Sequence, residues 1–218
     1  STDNSAAILK EYANNNNRIT YVASDTNLGF AGGNNLAISH AQGQYYILLN
    51  IDTIVTPGWV GRLLSHAQQH PSIGLICPVT NFAGNEAKIN IDYKNYQEMI
   101  RFSQVVAQLN HGLVTDIAVA PLFCALISKQ LWNSIGDLDS RYEIGMFEDD
   151  DYSIRVWEAS FRVVVAEDCF IHHFGQGSFS KLPSESYNKI FFSNKARYEA
   201  KWNRPWTAHK PRVGVRPA

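Results

Sequence analysis

Short apolar runs alternate with amphipathic helical segments along this 218-residue chain, and this alternation constrains the fold more than any other feature of the sequence. Residues 45–49 and 73–77 are almost entirely apolar, which is typical of strands buried on both faces of a sheet. Residues 57–70 and 96–109 instead carry apolar side chains at helical spacing. The pattern predicts an α/β fold with a mixed, mostly parallel sheet flanked by helices.

Weaker patterns predict the remaining elements. Further helices are predicted at residues 6–13, 34–42, 129–135, 148–159 and 184–201. Further strands are predicted at residues 18–23, 117–120, 125–128 and 162–165. Because no internal repeat or linker precedes residue 207, we expect one domain over residues 1–206 and an exposed basic tail over residues 207–218.

Composition excludes several classes of protein. Hydrophobic residues make up 45% of the chain and charged residues 18%, which argues for a packed core and against disorder or a coiled coil. The net charge is −1, so the chain lacks the basic excess with which nucleic-acid-binding proteins neutralise phosphates. No apolar run in this sequence is long enough to span a bilayer.

The three cysteines are far apart in the sequence, which favours a reducing compartment over a disulfide framework. The spacing Cys169-x-x-His172 is the only hint of a zinc site, and we do not expect zinc there. The sequence opens with Ser-Thr-Asp-Asn-Ser, which is typical of a turn and cap before a helix. We therefore expect a preceding strand outside this sequence, with a processed N-terminus as the alternative.

A glycine-rich segment at residues 27–35 lies between a predicted strand and a predicted helix. Glycines allow backbone amides to approach a ligand closely, and a helix N-terminus favours an anion. The segment matches neither the P-loop nor the dinucleotide-binding fingerprint. An ordinary loop before a capped helix is therefore the alternative to an anion site.

Asp52 follows the predicted strand at residues 45–49. Ligands of open α/β sheets bind at the carboxyl ends of strands, so a carboxylate at this point is well placed for binding. It could hold a divalent cation that bridges diphosphate oxygens. The alternative is an aspartate that only caps the following turn.

Four consecutive acidic residues, 148–151, begin a predicted helix. Adjacent carboxylates raise the pKa of at least one of them, which suits a general base near neutral pH. They could also simply complement the positive end of the helix dipole. Downstream stand His172 and His173, and we interpret this pair as part of a site rather than as core histidines.

Five segments then match a known family in order. They are residues 27–35, 48–53, 135–142, 147–152 and 171–173. Together they resemble the family 2 inverting glycosyltransferases with the GT-A fold, particularly the bacterial surface-polysaccharide or O-antigen type. The similarity covers about residues 1–202, and it implies that the first strands of the domain lie outside this sequence.

The resemblance implies a metal-dependent, inverting transfer of a sugar from a nucleotide-diphosphate donor to a saccharide or lipid-linked saccharide acceptor, in cell-surface polysaccharide synthesis. It implies a cytoplasmic enzyme, which could contact the inner face of the membrane peripherally. It is also compatible with a domain of a longer multidomain chain. No nucleic-acid partner is expected. A glycosidase and a non-catalytic nucleotide-sugar or carbohydrate-binding remnant are the alternatives. A glycosidase would place its two acids at a sugar cleft without a phosphate-type loop, and a remnant would have no reason to keep both Asp52 and Asp149.

The family's metal-binding residues carry over to the segment at the end of the strand and to the histidine pair. Asp52 would bind Mg²⁺ or Mn²⁺ together with the donor diphosphate, and Asn50 occupies the first position of the same motif. His172 aligns best with the histidine that helps to hold the metal or diphosphate, with His173 as the second choice.

The acidic pair of the family corresponds to Glu148 and Asp149, so the resemblance assigns Asp149 as the base that deprotonates the acceptor hydroxyl. Asp151 and Arg155 match positions that brace the helix. The nucleotide-sugar side of the cleft would be lined by Asp3, Asn27, Gly29, Phe30, Gly32, Gly33 and Asn34, together with Asn50 and Asp52. Residues 122–124 depart from the small glycine-containing turn of the family, which leaves the acceptor side undefined.

Overall fold

The computed structural model describes residues 3–175 and 183–212. Its helices are α1 (Ser5–Asn15), α2 (Gly29–Ser39), α3 (Trp59–Gln69), α4 (Tyr96–Leu109), α5 (Lys129–Ile135), α6 (Glu148–Glu158) and α7 (Ser184–Trp202), with a 3-10 turn at Ser140–Tyr142. Its strands are β1 (Tyr45–Leu49), β2 (Thr53–Ile54), β3 (Ile73–Val79), β4 (Val114–Asp116), β5 (Cys124–Ser128), β6 (Arg162–Phe170) and β7 (His172–His173).

Five of these strands form the central sheet in the order β1-β5-β3-β6-β4, and β2 pairs with β7 in a separate ribbon. β1, β3 and β6 run in one direction, whereas β5 and β4 run in the other. The predicted mixed α/β class is confirmed. Among the described strands, however, β3 and β6 are the only parallel neighbours in the sheet. Apolar content predicts that a strand is buried but not its direction, so the antiparallel β5 was not predicted.

The core lies on both faces of the sheet because side chains of β3 alternate between two apolar clusters. Leu75 and Cys77 join the cluster that packs under α4 and α6, and Ile76 joins the cluster that packs under α3. Gly74 is required at this crowded point, because a Cβ there would lie 2.7 Å from Val156 Cγ1. Among the residues that the structure describes, no helix is long and apolar enough to cross a membrane.

Three predicted elements differ from the structure. Residues 18–23 form no strand among the described residues, because no neighbouring strand lies beside them. The strand predicted at 117–120 lies three residues earlier, as β4. Helix α2 begins at Gly29 rather than at residue 34, so most of the predicted glycine-rich loop is its first turn.

Candidate active site

Asp52 and His173 are brought together by the small β2–β7 ribbon. Thr53 pairs with His173 across the ribbon, and the Phe174 amide donates to the Asp52 carbonyl over 2.9 Å. This register places Asp52 Oδ1 3.4 Å from His173 Nε2. The ribbon follows directly after β1, so the pair lies at the carboxyl end of that strand.

The His173 ring is fixed by contacts on several sides. Its Nδ1 lies 3.1 Å from the Phe82 carbonyl oxygen, which can only accept, so Nδ1 carries a proton. The ring stacks on Phe123 with 4.5 Å between centroids. The Asn81 side chain bonds both the amide and the carbonyl of His173, at 2.8 and 3.0 Å. In the neutral imidazole, Nε2 therefore presents a lone pair toward the Asp52 carboxylate.

Two acceptors that face each other over 3.4 Å repel unless a positive charge lies between them. A proton on Nε2 would supply one, and a divalent cation would supply another. Carboxylate oxygen and imidazole nitrogen are both ligands of Mn²⁺-type cations, so the donor set fits a metal. The described residues contain no cluster of three or more histidine, cysteine, aspartate or glutamate side chains that could hold a metal ion. A cation held by this pair would leave room for ligands such as substrate oxygens or water.

His172 occupies a different environment from His173. Its Nδ1 lies 2.5 Å from the Tyr93 hydroxyl, and its ring contacts Phe174 edge to face. Burial raises the pKa of Tyr93 to about 12, so the phenol keeps its proton in this hydrogen bond. Cys169 is fully buried, with its thiol against the Trp59 carbonyl. The geometry thus favours His173, the second choice from the sequence, over His172 beside Asp52.

The loop before α6 sets the orientation of the acidic residues in the first turn of that helix. Met146 and Phe147 both have left-handed backbone conformations, with φ of 80° and 76°. Such conformations are costly for these residue types and persist only when surrounding structure holds them. The buried Asn194 side chain supplies that support, because it donates to the carbonyls of Tyr142 and Gly145 at 2.8 and 2.9 Å.

Glu148 and Asp149 have perturbed acidities. Burial, together with the neighbouring Asp149 charge, raises the pKa of Glu148 to about 8. Burial, followed by the Asp150 charge, raises the pKa of Asp149 to about 7. Glu148 Oε2 is buried without a hydrogen-bond partner in the described part of the chain. Both carboxyl groups therefore titrate well above their usual range, and ionisation of either one disfavours ionisation of the other.

Asp151 braces α6 against α7, as expected from the resemblance. It is fully buried, and its carboxylate accepts from Arg155 Nε at 3.1 Å and from Trp202 Nε1 at 2.9 Å. Lys201 Nζ lies 2.5 Å from the same carboxylate. With the Tyr142 hydroxyl at 3.4 Å as a fourth donor, this buried carboxylate links the two helices and is not available to a substrate.

Asp150 lies beneath residues 203–212, which we call the C-terminal strap. Trp206 Nε1 and His209 Nε2 bond to Asp150 Oδ1 at 2.9 and 2.8 Å. Arg212 forms a bidentate ion pair with Glu167 at 2.6 and 2.7 Å. Within the tail predicted to be exposed from residue 207, residues 207, 208, 210 and 211 are exposed, whereas the side chains of His209 and Arg212 contact the domain. The carboxylates of Asp150 and Glu167, which hydropathy does not reveal as partners, hold these two side chains.

The first turn of α2 packs against the loop that precedes α6. The Phe30 amide donates to the Ile144 carbonyl over 3.1 Å, and the Asn27 side chain accepts from the Gly29 amide over 3.0 Å. Gly29 has φ +66°, and a Cβ at this position would lie 1.7 Å from the Glu143 carbonyl oxygen. Close backbone packing therefore accounts for the glycine at this position.

The other residues expected on the nucleotide side make local contacts of different kinds. Asn34 donates its side-chain amide to the Phe30 carbonyl one turn earlier, at 2.8 Å. Gly33 has open space where a side chain would stand, and Gly32 has only Leu28 nearby. Asp3 is exposed and accepts from the Ser5 amide at the start of α1, which lowers its pKa.

A groove of about 790 Å³ runs between α6 and the C-terminal strap. Trp157 presents an exposed ring there, and its indole nitrogen is fixed by a 3.1 Å bond to the Ala118 carbonyl. On the opposite wall, the Arg204 guanidinium bonds to the Tyr198 hydroxyl at 2.8 Å. Asp150, the sequence neighbour of Asp149, also lines this groove.

Sequence reasoning missed the residues that hold His173 and those of the strap. Asn81 and Phe82 lie in an irregular stretch that carries no motif. Phe123 appeared only as a departure from the family pattern. His209 is a single histidine in a basic stretch, and only its nearness to Asp150 in space gives it significance.

Comparison with known proteins places this geometry in context. The profile of the glycosyl transferase family 2 matches residues 1–132. An uncharacterized glycosyltransferase of Methanocaldococcus jannaschii is 26% identical over 98 residues, which is 45% of this chain and 33% of that protein. The chain thus spans about a third of the length of this relative.

Two solved structures share the fold at low identity. GalNAc-T7 with UDP, GalNAc and Mn²⁺ superposes with a TM-score of 0.62 at 14% identity, over 92% of this chain and 42% of that chain. The mannosyltransferase PcManGT from Pyrobaculum calidifontis, in complex with GDP-Man and Mn²⁺, superposes with a TM-score of 0.59 at 15% identity. This superposition covers 95% of this chain and 54% of that chain. These similarities show a GT-A type of fold.

Proposed function

The chain belongs to glycosyl transferase family 2, and from this premise we propose that it transfers a sugar from a nucleotide-diphosphate donor to a saccharide or lipid-linked saccharide acceptor. We propose that the transfer needs Mg²⁺ or Mn²⁺ and inverts the anomeric configuration. The observation that carries this proposal is the Asp52–His173 pair, whose facing acceptors lie 3.4 Å apart at the carboxyl end of β1.

Asp52 and His173 would hold the cation, with the donor diphosphate oxygens as further ligands. A divalent cation bound there supplies positive charge that stabilises the departing nucleoside diphosphate. The structural neighbours solved with UDP or GDP-Man together with Mn²⁺ support this assignment. Asn50 lies two residues before Asp52, and we propose that it contacts the donor.

Asp149 would act as the general base. One of its carboxylate oxygens takes the proton of an acceptor hydroxyl as that oxygen bonds to the anomeric carbon of the donor. The bond between this carbon and the diphosphate oxygen breaks in the same step, and its electron pair leaves with the diphosphate. A pKa of about 7 suits a base at neutral pH. Glu148, with a pKa of about 8, stays protonated beside it.

We propose that the nucleotide lies toward α2, with Gly32, Gly33 and Phe30 on that wall, and with Asn27, Gly29, Asn34 and Asp3 nearby. The acceptor saccharide would occupy the groove under the strap. Flat aromatic faces such as that of Trp157 pack against the apolar faces of sugar rings, and the charged rim offers hydrogen bonds. Asp150 lines this groove and is the sequence neighbour of Asp149.

We propose a role in bacterial surface-polysaccharide synthesis, at the cytoplasmic face of the membrane, supported by the motifs at residues 48–53 and 147–152. We also propose that further strands complete the sheet beside β1. β1 is an edge strand among those described, and α1 buries none of its residues although Leu9 and Tyr12 are apolar. An open edge and an uncovered helix are the features that an additional paired strand would cover.

The test is a screen of nucleotide-sugar donors against the full-length protein, scored by release of nucleoside diphosphate in the presence of Mg²⁺ or Mn²⁺. We expect turnover with one donor class, its loss on chelation, and its loss in Asp149→Asn. Asp25→Asn, which changes an exposed aspartate, serves as the matched control and should retain full activity. Donor binding without turnover would overturn the proposal in favour of a non-catalytic sugar-nucleotide-binding protein.

A further inference from the structure

The C-terminal strap is anchored at both ends, independently of any ligand. Asn203 ends α7 in a left-handed conformation with φ 48°, which turns the chain back across α6. The Trp206 ring then packs edge to face on Phe147, with centroids 5.3 Å apart. At the far end, Arg212 holds Glu167 in a bidentate pair and also donates to the Glu86 carbonyl. The segment between these anchors is therefore fixed over the start of α6.

His209 lies between the two anchors and faces a group of carboxylates. It bonds to Asp150 at 2.8 Å, and only about a quarter of its side chain is exposed. Asp149 from α6 and Glu86 from the loop after β3 both contribute to its electrostatic environment. Glu86 Oε2 is itself buried without a partner among the described residues. The imidazole is the strap's contribution of positive charge to this group.

We propose that His209 is a positioning residue of the active site, which places a positive charge beside the carboxylates at the start of α6 and so keeps Asp149 ionised at neutral pH. This inference rests on the proposed function in so far as Asp149 is the base. It adds to the reaction a residue from outside the part of the chain that the family profile matches, residues 1–132.

The charges around Asp149 support this role. The Asp150 amide donates to Asp149 Oδ1 over 3.1 Å, and the Asp150 carboxylate bonds to His209 over 2.8 Å, so the imidazolium lies against the neighbour of Asp149. Burial and the Asp150 charge raise the pKa of Asp149, and the His209 charge acts in the opposite direction. In turn, the hydrogen bond from Asp150 raises the pKa of His209, so the imidazolium form persists nearer to neutral pH. Glu148 is the remaining acid at this end of the helix, and its own pKa is raised. Loss of the imidazolium would remove a positive charge that favours the ionised form of Asp149.

Trp206 provides an internal comparison for this inference. Its indole nitrogen donates to the same Asp150 oxygen as His209 does, but it carries no charge. If the strap has only a structural role, removal of either donor should affect the Asp149 titration equally. If the strap acts through charge, removal of the His209 imidazole should affect it far more than removal of the Trp206 N–H.

The experiment is a carboxyl-carbon NMR titration of Asp149 in the free protein, which needs neither donor nor acceptor. His209→Gln keeps a hydrogen-bond donor but removes the charge, and we expect the Asp149 titration midpoint to rise by roughly one pH unit. His209→Lys keeps a cation and should restore the wild-type midpoint or lower it. Trp206→Phe, the matched control, should change the midpoint little. Amide spectra confirm that each variant is folded.

An unchanged Asp149 midpoint in folded His209→Gln would overturn the inference, as would an equal shift in Trp206→Phe. If the proposed function also holds, His209→Gln should lower kcat about five-fold at pH 7 and recover toward the wild-type rate at higher pH. Failure of the proposed function would appear differently. The midpoint would still rise in His209→Gln, but the wild-type protein would bind donor without turnover, or Asp149→Asn would leave turnover intact.

Discussion

His173 Nε2 points at Asp52 Oδ1 across 3.4 Å while the opposite ring nitrogen is committed to the Phe82 carbonyl. The proton on Nδ1 thus leaves Nε2 of the neutral ring as a hydrogen-bond acceptor. With Nδ1 donating to a backbone oxygen, Nε2 is left as an acceptor toward a carboxylate, which is the arrangement that histidine ligands of metals usually adopt. The ring is held in this orientation before any ligand arrives.

Metal should strengthen the binding of a nucleoside diphosphate. We expect Mg²⁺ or Mn²⁺ to tighten binding measured by calorimetry, and we expect Asp52→Ala and His173→Ala to abolish this gain, because phosphate charge would remain uncompensated. His172→Ala is the matched control, since its Nδ1 is bonded to Tyr93. Equal affinity with and without metal in the wild-type protein would contradict the assignment.

Replacement of the proposed base should affect turnover and little else. In the full-length enzyme, Asp149→Asn should lower kcat by roughly two to four orders of magnitude, the usual scale for a positioned base, with donor affinity nearly unchanged. Asp150→Asn should cost much less, because Asp150 faces the strap. Steady-state kinetics and donor titrations measure both. Equal losses in the two variants would show that Asp149 has no special role.

Burial explains which parts of the fold could be predicted from the sequence. The apolar run of β3 matches the two-sided burial of a central strand, and every residue of β3 is buried. The apolar run of β1 also predicted a strand, but β1 lies at the edge of the described sheet and buries only Tyr46 and Leu48. Residues 18–23 alternate between apolar and polar side chains, but a strand also needs a neighbour, and none lies beside this segment among the described residues. Local patterns contain no information about whether such a partner exists.

The site shows the same division between local and long-range information. Asp52 and Asp149 lie in motifs, so the sequence identified them as candidates. The choice between His172 and His173 could not be made, because consecutive residues of a strand point in opposite directions and the register of β7 with β2 decides which one meets Asp52. The contact of His209 with Asp150 spans 59 positions and leaves no local pattern.

Trp157 should contribute to acceptor binding if the groove holds a saccharide. We expect Trp157→Ala to raise the acceptor KM about ten-fold with kcat little changed, because an aromatic contact of about 1.4 kcal/mol would be lost. Trp157→Phe keeps a ring and should show a smaller rise. Tyr96→Ala removes an exposed aromatic residue on α4 as a control. An unchanged acceptor KM in Trp157→Ala would place the acceptor elsewhere.

The buried His66–Asp168 pair should make stability depend on pH. Burial raises the pKa of Asp168, but hydrogen bonds from His66 at 2.7 Å and from the Gly112 amide at 3.0 Å outweigh it, so the net pKa is lowered. A lowered folded-state pKa stabilises the protein at pH values above the unfolded-state pKa, about 3.9, and this stabilisation is lost as pH falls through the folded-state pKa.

Urea unfolding should therefore show Asp168→Ala destabilised by about 3 kcal/mol at pH 7, with the difference in unfolding free energy from wild type shrinking in acid. His111→Ala, whose ring is exposed and 3.9 Å from the same carboxylate, should change stability little. A constant difference between wild type and Asp168→Ala down to acid pH would mean that packing, not the charge of Asp168, holds α3 to β6.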